Sequence, residues 1–136
     1  MPQITFQGTV FSGNGEGRKF IGLPWVKRQI REKLGFTPYA GTLNIRLTEE
    51  SVLQKEFLKK AEKFEIFPEK AYCTGILFEA CIKELKCGIV QPQLRSYPRD
   101  ELEVVAACNL RERFKLVDRS EVCVSVTVCL RCSSFL

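Results

Sequence analysis

Four valines at every second position, Val122, Val124, Val126 and Val128, alternate with Cys123, Ser125, Thr127 and Cys129. Only an extended chain puts such a set on one face. Residues 3 to 11 repeat the pattern, with Ile4, Phe6 and Val10 on one side and Thr5, Gln7 and Thr9 on the other. Residues 42 to 47 do so again, with Leu43, Ile45 and Leu47 facing in and Thr42, Asn44 and Arg46 facing the other way. Further strands are expected at 71–82, 88–91 and 102–108, punctuated by Pro68, Pro92 and Pro98. Helical spacing is confined to short stretches. Pro24 at a first-turn position leads into Val26, Ile30 and Leu34, stopped by Gly35. Ser51 and Gln54 read as a capping box ahead of Leu53, Phe57, Ala61 and Phe64, which predicts a second helix over 51–63. One or two helical turns are expected over 110–116. Six short strands with two or three short helices predict a mainly β chain closed into a compact barrel rather than an alternating βαβ sheet.

At 136 residues the chain has the length of one domain, expected to span 1–136, and its 45% apolar and 27% charged residues are those of a folded globular protein. No apolar run approaches the roughly 18 residues a bilayer demands, and Met1-Pro2-Gln3-Ile4-Thr5 lacks the basic and apolar regions of a leader, so a cytoplasmic protein without membrane partners is expected. Histidine is absent, which excludes imidazole metal sites and Ser-His-Asp or Cys-His catalysis. The seven cysteines are odd in number and irregularly spaced, so they are expected to be mostly buried apolar residues rather than a disulfide framework. Cys129-Leu130-Arg131-Cys132 is the one CxxC and has no matching second pair. The whole net charge of +5 resides between residues 18 and 33, in Arg18, Lys19, Lys27, Arg28, Arg31 and Lys33 against Glu32. Such a segment is either a solvated helix face or a phosphate-binding one.

Gly13-Asn14-Gly15-Glu16-Gly17-Arg18 follows the first strand. Its third glycine comes one position too soon for a dinucleotide fingerprint, no Gly-Lys-Ser/Thr follows, and the segment after it reads as a strand. Three glycines in five residues let backbone N–H groups converge on an anion, with Arg18 and Lys19 adding charge; an ordinary turn is the other reading. Thr42 and Asn44 carry oxygen-bearing side chains at i and i+2 on one strand face after Gly41, a set able to hold a hard cation that bridges phosphates, although such residues are also common on strand surfaces.

Taken together, residues 12–18, Leu34-Gly35-Phe36-Thr37-Pro38-Tyr39-Ala40-Gly41-Thr42-Leu43-Asn44, Glu103-Val104-Val105-Ala106 and Leu110-Arg111-Glu112 strongly resemble the archaeal CTP-dependent riboflavin kinases over about residues 6–128. The resemblance implies a six-stranded cradle-loop barrel of the RIFT-related kind. It implies transfer of the γ-phosphate of CTP to the 5′-hydroxyl of riboflavin, giving FMN and CDP. It assigns Gly13, Asn14, Gly15, Glu16, Gly17 and Arg18 to the nucleotide phosphates, and Cys108, Asn109, Leu110 and Arg111 to a second nucleotide contact. Thr42 and Asn44 fall to one Mg²⁺ ion, and Glu103 to the flavin. Asn44, Thr42 and Glu103 are thereby the expected catalytic set. The threonine that the family carries eight residues before this glutamate is Arg95 here, followed by Ser96, so one of these two is the expected second flavin contact. The family's Asp-Gly-Asp turn is Asp118-Arg119-Ser120-Glu121, and its proline after the Glu-x-x-Ala strand is Ala107. A monomer is expected. Related swapped-hairpin barrels bind DNA, but a Gly-rich loop and an oxygen-ligand strand would serve no purpose on it, so nucleic acid is not an expected partner. A flavin or nucleotide carrier without turnover is the remaining alternative.

Overall fold

The structure, a computed structural model, describes residues 3–69 and 73–128. Strand β1 (Gln3–Phe11) buries every second residue and pairs antiparallel with β7 (Glu121–Thr127) on one edge and with β2 (Leu43–Leu47) on the other. β2 continues to β6 (Glu101–Val105), β6 to β5 (Leu85–Pro92), and β5 to β4 (Gly75–Ile82). β4 then meets β7 at Cys81 and Ser125, which closes a six-stranded antiparallel barrel. A seventh strand, β3 (Lys63–Ile66), lies outside the ring and pairs with the first half of β4, where β7 does not reach. The six-stranded barrel expected from the alternating runs is therefore present.

Two cores hold it together. Inside the barrel, the inward sets Ile4, Phe6 and Val10, Leu43, Ile45 and Leu47, and Val122, Val124, Val126 and Val128 meet Phe78, Ile89 and Val104. A second core lies outside, where Trp25, Val26, Ile30 and Leu34 of α2 (Pro24–Leu34) cover Ile66, Leu77, Val90 and Val105. β5 is covered on both faces, so Cys87, Gly88, Ile89 and Val90 are all buried and the alternation vanishes there. Gly88 is required at this crossing, because a Cβ on it would come 2.6 Å from Leu34 Cδ1.

The helices depart from expectation in three places. The segment after the Gly-rich loop, read as a strand, lies instead in α1 (Glu16–Ile21), which begins within the loop and buries Ile21 against α2. The helix expected over 51–63 begins earlier and ends sooner. Thr48 caps α3 (Glu49–Gln54) by accepting the Ser51 N–H at 3.2 Å, and a 3₁₀ turn follows over Lys55–Lys60 before β3. Ser51 faces inward and accepts the Gln7 N–H at 2.7 Å. α4 (Leu110–Phe114) lies where one or two turns were expected. The cysteines also differ: of the five described, Cys87 is buried, Cys73 and Cys108 are half-buried, and Cys81 and Cys123 are exposed; all five are free thiols. Burial pushes the Cys87 thiol up to about 12. The CxxC at Cys129 and Cys132, and the start of the expected strand at Ala71, lie outside the described residues. No helix among the described residues is long and apolar enough to cross a membrane.

Candidate active site

A cleft of about 950 Å³ lies against β1, β2 and β6. Its floor follows from strand register. Asn44 on β2 lies directly opposite Glu103 on β6 and opposite Phe11 on β1, so the outward faces of the three strands present these side chains together. Thr42, two residues before Asn44, adds its hydroxyl to the same face. Thr42 Oγ1 donates to Glu103 Oε1 at 3.1 Å, with Asn44 Oδ1 at 3.4 Å as a longer alternative acceptor. The second carboxylate oxygen, Glu103 Oε2, accepts from the Tyr97 hydroxyl at 2.9 Å. Burial, and then the Glu103 carboxylate beside it, hold the Tyr97 phenol well above its usual range, so it remains a donor at any neutral pH.

The glycine loop closes over this floor. A Cβ on Gly17 would collide with Thr42 Oγ1 and lie 2.8 Å from Glu103 Oε1, and one on Gly13 would lie 2.6 Å from Asn44 Nδ2. Glycine at both positions is thus what lets the loop approach the polar strand face. Gly15 differs: nothing lies within 4 Å of its Cβ position, but its φ of +88° is one that L side chains rarely adopt. Asn14 Oδ1 accepts the Glu16 N–H at 3.1 Å, which fixes the turn into α1. Arg18, half a turn on, lines the cleft. The other five cations of the basic segment, Lys19, Lys27, Arg28, Arg31 and Lys33, do not line it. Four of them belong to α2, whose apolar side packs on the sheet, so for them the solvated helix face is the reading that fits.

The far wall is built from the start of α4. Asn109 caps this helix, its Oδ1 accepting from the Arg111 and Glu112 N–H groups at 3.0 and 3.3 Å, while its Nδ2 donates to the Tyr39 hydroxyl at 3.3 Å. Arg111 reaches across to the loop. Its Nη2 donates to Asp118 Oδ1 at 2.8 Å and to the Phe11 carbonyl at 3.2 Å, and Ser12 Oγ donates to the same carboxylate at 2.9 Å. Cys108 and Leu110 complete this wall. Of the expected site residues, Arg95 and Ser96 do not line this cleft. Arg95 lines a neighbouring hollow of about 440 Å³, which meets the cleft at Pro92, Leu94 and Tyr97. Tyr97 was not singled out from sequence. The only signal for it was an aromatic residue beside Pro98 in an otherwise polar connection.

The donor set suits a hard cation of the Mg²⁺ kind. Thr42 Oγ1 and Asn44 Oδ1 are neutral oxygens 3.4 Å apart with a carboxylate next to them, under a loop that approaches them through Gly13 and Gly17. Mg²⁺ takes few protein ligands when phosphate oxygens and water supply the rest. No group of three or more Asp, Glu or Cys side chains that could hold a metal by itself occurs among the described residues.

Comparison with known proteins gives the following. Residues 10–126 match the family model CTP-dep_RFKase, described as a domain of unknown function, DUF120. The riboflavin kinase of Methanoculleus marisnigri is 35% identical over 127 residues, covering 90% of this chain and 57% of that protein. That of Methanospirillum hungatei is 38% identical over 129 residues, 92% of this chain and 58% of the relative. That of Ignicoccus hospitalis is 37% identical over 127 residues, 90% and 71%. The chain thus spans somewhat under three fifths of the length of the first two relatives.

Proposed function

Because the chain belongs to the CTP-dependent riboflavin kinase family, we propose that it transfers the γ-phosphate of CTP to the 5′-hydroxyl of riboflavin, giving FMN and CDP. The observation that carries this reading is the close approach of the loop at Gly13 and Gly17, where a Cβ would collide, to a strand face bearing Thr42, Asn44 and Glu103. Phosphoryl transfer passes through a loose transition state and asks for positioning and charge neutralisation more than for a strong base, which suits a chain without histidine.

In this reading the backbone N–H groups of Gly13 to Gly17 and the Arg18 guanidinium hold the triphosphate. Cys108 to Arg111 contact the nucleotide from the opposite wall. Thr42 and Asn44 would hold Mg²⁺, which when bound offsets charge on the β- and γ-phosphate oxygens. Glu103 accepts from the ribityl chain and aims its terminal hydroxyl. Arg95 or Ser96, in the connection that borders the cleft at Leu94 and Tyr97, supplies a further flavin contact. CTP as donor rests on the family alone.

The test is an assay with purified protein, riboflavin and Mg²⁺, offering CTP or ATP. FMN is expected with CTP, and at a much lower rate with ATP. FMN from ATP alone overturns the donor assignment. No FMN from either donor, with riboflavin and CDP still bound, turns the reading into that of a carrier.

A further inference from the structure

Thr42 has one hydroxyl proton and two acceptors within reach, Glu103 Oε1 at 3.1 Å and Asn44 Oδ1 at 3.4 Å. The choice decides what the cleft can bind. With the proton on Glu103, the lone pairs of Thr42 Oγ1 and Asn44 Oδ1 are not engaged with each other and are available to a cation. With the proton turned to Asn44, one ligand oxygen is occupied by the other. Glu103 alone does not fix the outcome, because the terminal torsion of a glutamate is broad. Its carboxylate is oriented by the second hydrogen bond, from the Tyr97 hydroxyl to Oε2 at 2.9 Å. Tyr97 comes from the connection between β5 and β6, where its own N–H bonds the Leu94 carbonyl at 3.1 Å. Its ring lies under Lys55 Nζ at 5.9 Å, and that ammonium is tied to the Glu101 carbonyl at 2.9 Å. The phenol is therefore a held donor rather than a swinging one.

We propose that Tyr97 is a positioning residue: by holding Glu103 Oε2 it keeps Oε1 as the acceptor of the Thr42 proton, and so leaves the Thr42 and Asn44 oxygens open to a divalent cation. This rests on the kinase reading of the cleft. Tyr97 acts on the cation site entirely through Glu103.

The test is a double-mutant cycle on the full chain: the parent, Tyr97→Phe, Glu103→Gln and the double variant. Affinity for Mn²⁺ is measured by calorimetry at saturating CDP, alongside CDP affinity without metal and the melting temperature. Tyr97→Phe keeps the ring and removes one donor, so Tm should stay within about 2 °C and metal-free CDP affinity should not move. Mn²⁺ affinity should fall about three- to tenfold, the net worth of one ordinary hydrogen bond. In the Glu103→Gln background the same change should cost less than about twofold, because the residue through which it acts is already altered. Unchanged Mn²⁺ affinity in Tyr97→Phe, or an equal loss in both backgrounds, overturns the proposal while leaving the kinase reading intact. A parent protein that binds neither CDP nor Mn²⁺ removes the kinase reading and this proposal with it.

Discussion

A threonine hydroxyl and an asparagine amide are weak metal donors taken singly, and their value here comes from register. The ladder that sets Asn44 opposite Glu103 also keeps Leu43 and Ile45 in the barrel core, so the polar face can change without touching the packing. Asn44→Ala should therefore shift stability by no more than about 0.5 kcal/mol. Under the kinase reading it should lower kcat by about 10²–10³, the usual cost of losing one electrostatic contact to the transferring group. Raising Mg²⁺ should recover part of the loss. The measurement is kcat against Mg²⁺ for both proteins with Tm as control, and a folded variant running at the parent rate throughout would mean that the cation is held elsewhere. Thr42 and Asn44 were legible because period-two alternation dictates which side chains share a face, whereas Glu103 came from the family resemblance alone. Tyr97 was not, because it sits in an irregular connection where no period links residue number to direction. Arg111 was legible as a site residue, but not its pairing with Asp118, which depends on how two distant segments meet.

At the scale of elements, the loop and α1 form one unit whose glycines do different work. Gly17 is a matter of space and Gly15 of backbone conformation. Gly17→Ala should push the loop off Thr42 and Glu103 and weaken CDP binding by tenfold or more, while Gly15→Ala should cost about 1 kcal/mol of stability for its left-handed φ and leave the floor of the cleft untouched. Calorimetric titration of CDP into both, with Tm alongside, separates the two; equal CDP affinities would mean that the loop does not close on the phosphates. The misread α1 has a physical cause. Six residues are too few for helical periodicity to declare itself, and the helix is stabilised by the Asn14 turn and by burial of Ile21 against α2, neither of which is a local pattern. β3 escaped for the related reason that Phe64 fits both a helical continuation of Ala61 and an extended strand, and only pairing with β4 decides between them.

The whole molecule is closed twice by contacts remote in sequence, and only one of them is backbone. β4 joins β7 at one residue pair, Cys81 and Ser125, on the half of that β4 edge left open by β3, which pairs with Gly75 to Phe78. On the cleft side, the carboxylate of Asp118 ties the start of α4, through Arg111, to Ser12 at the root of the glycine loop, with 106 positions separating Ser12 from Asp118. The hydrogen bonds from Arg111, and then from Ser12, hold the Asp118 carboxyl below the usual carboxylate range. A carboxyl whose folded pKa is depressed contributes stability that is present above its unfolded value, near 3.9, and is lost as pH falls through the folded value. The contact is solvent-exposed, so salt should weaken it. Asp118→Asn keeps the shape and one acceptor but not the charge. Its Tm should lie below that of the parent at pH 7 and low ionic strength, and the gap should narrow in 0.5 M salt and shrink progressively as pH falls below about 4, the unfolded value, toward the depressed folded value at which the parent's own carboxyl takes up its proton. Melting curves of both proteins from pH 7 to pH 3 check this. A gap that persists unchanged at pH 3 would mean that Asp118 holds the loop by shape alone, and one absent at pH 7 that the tie contributes nothing to the fold.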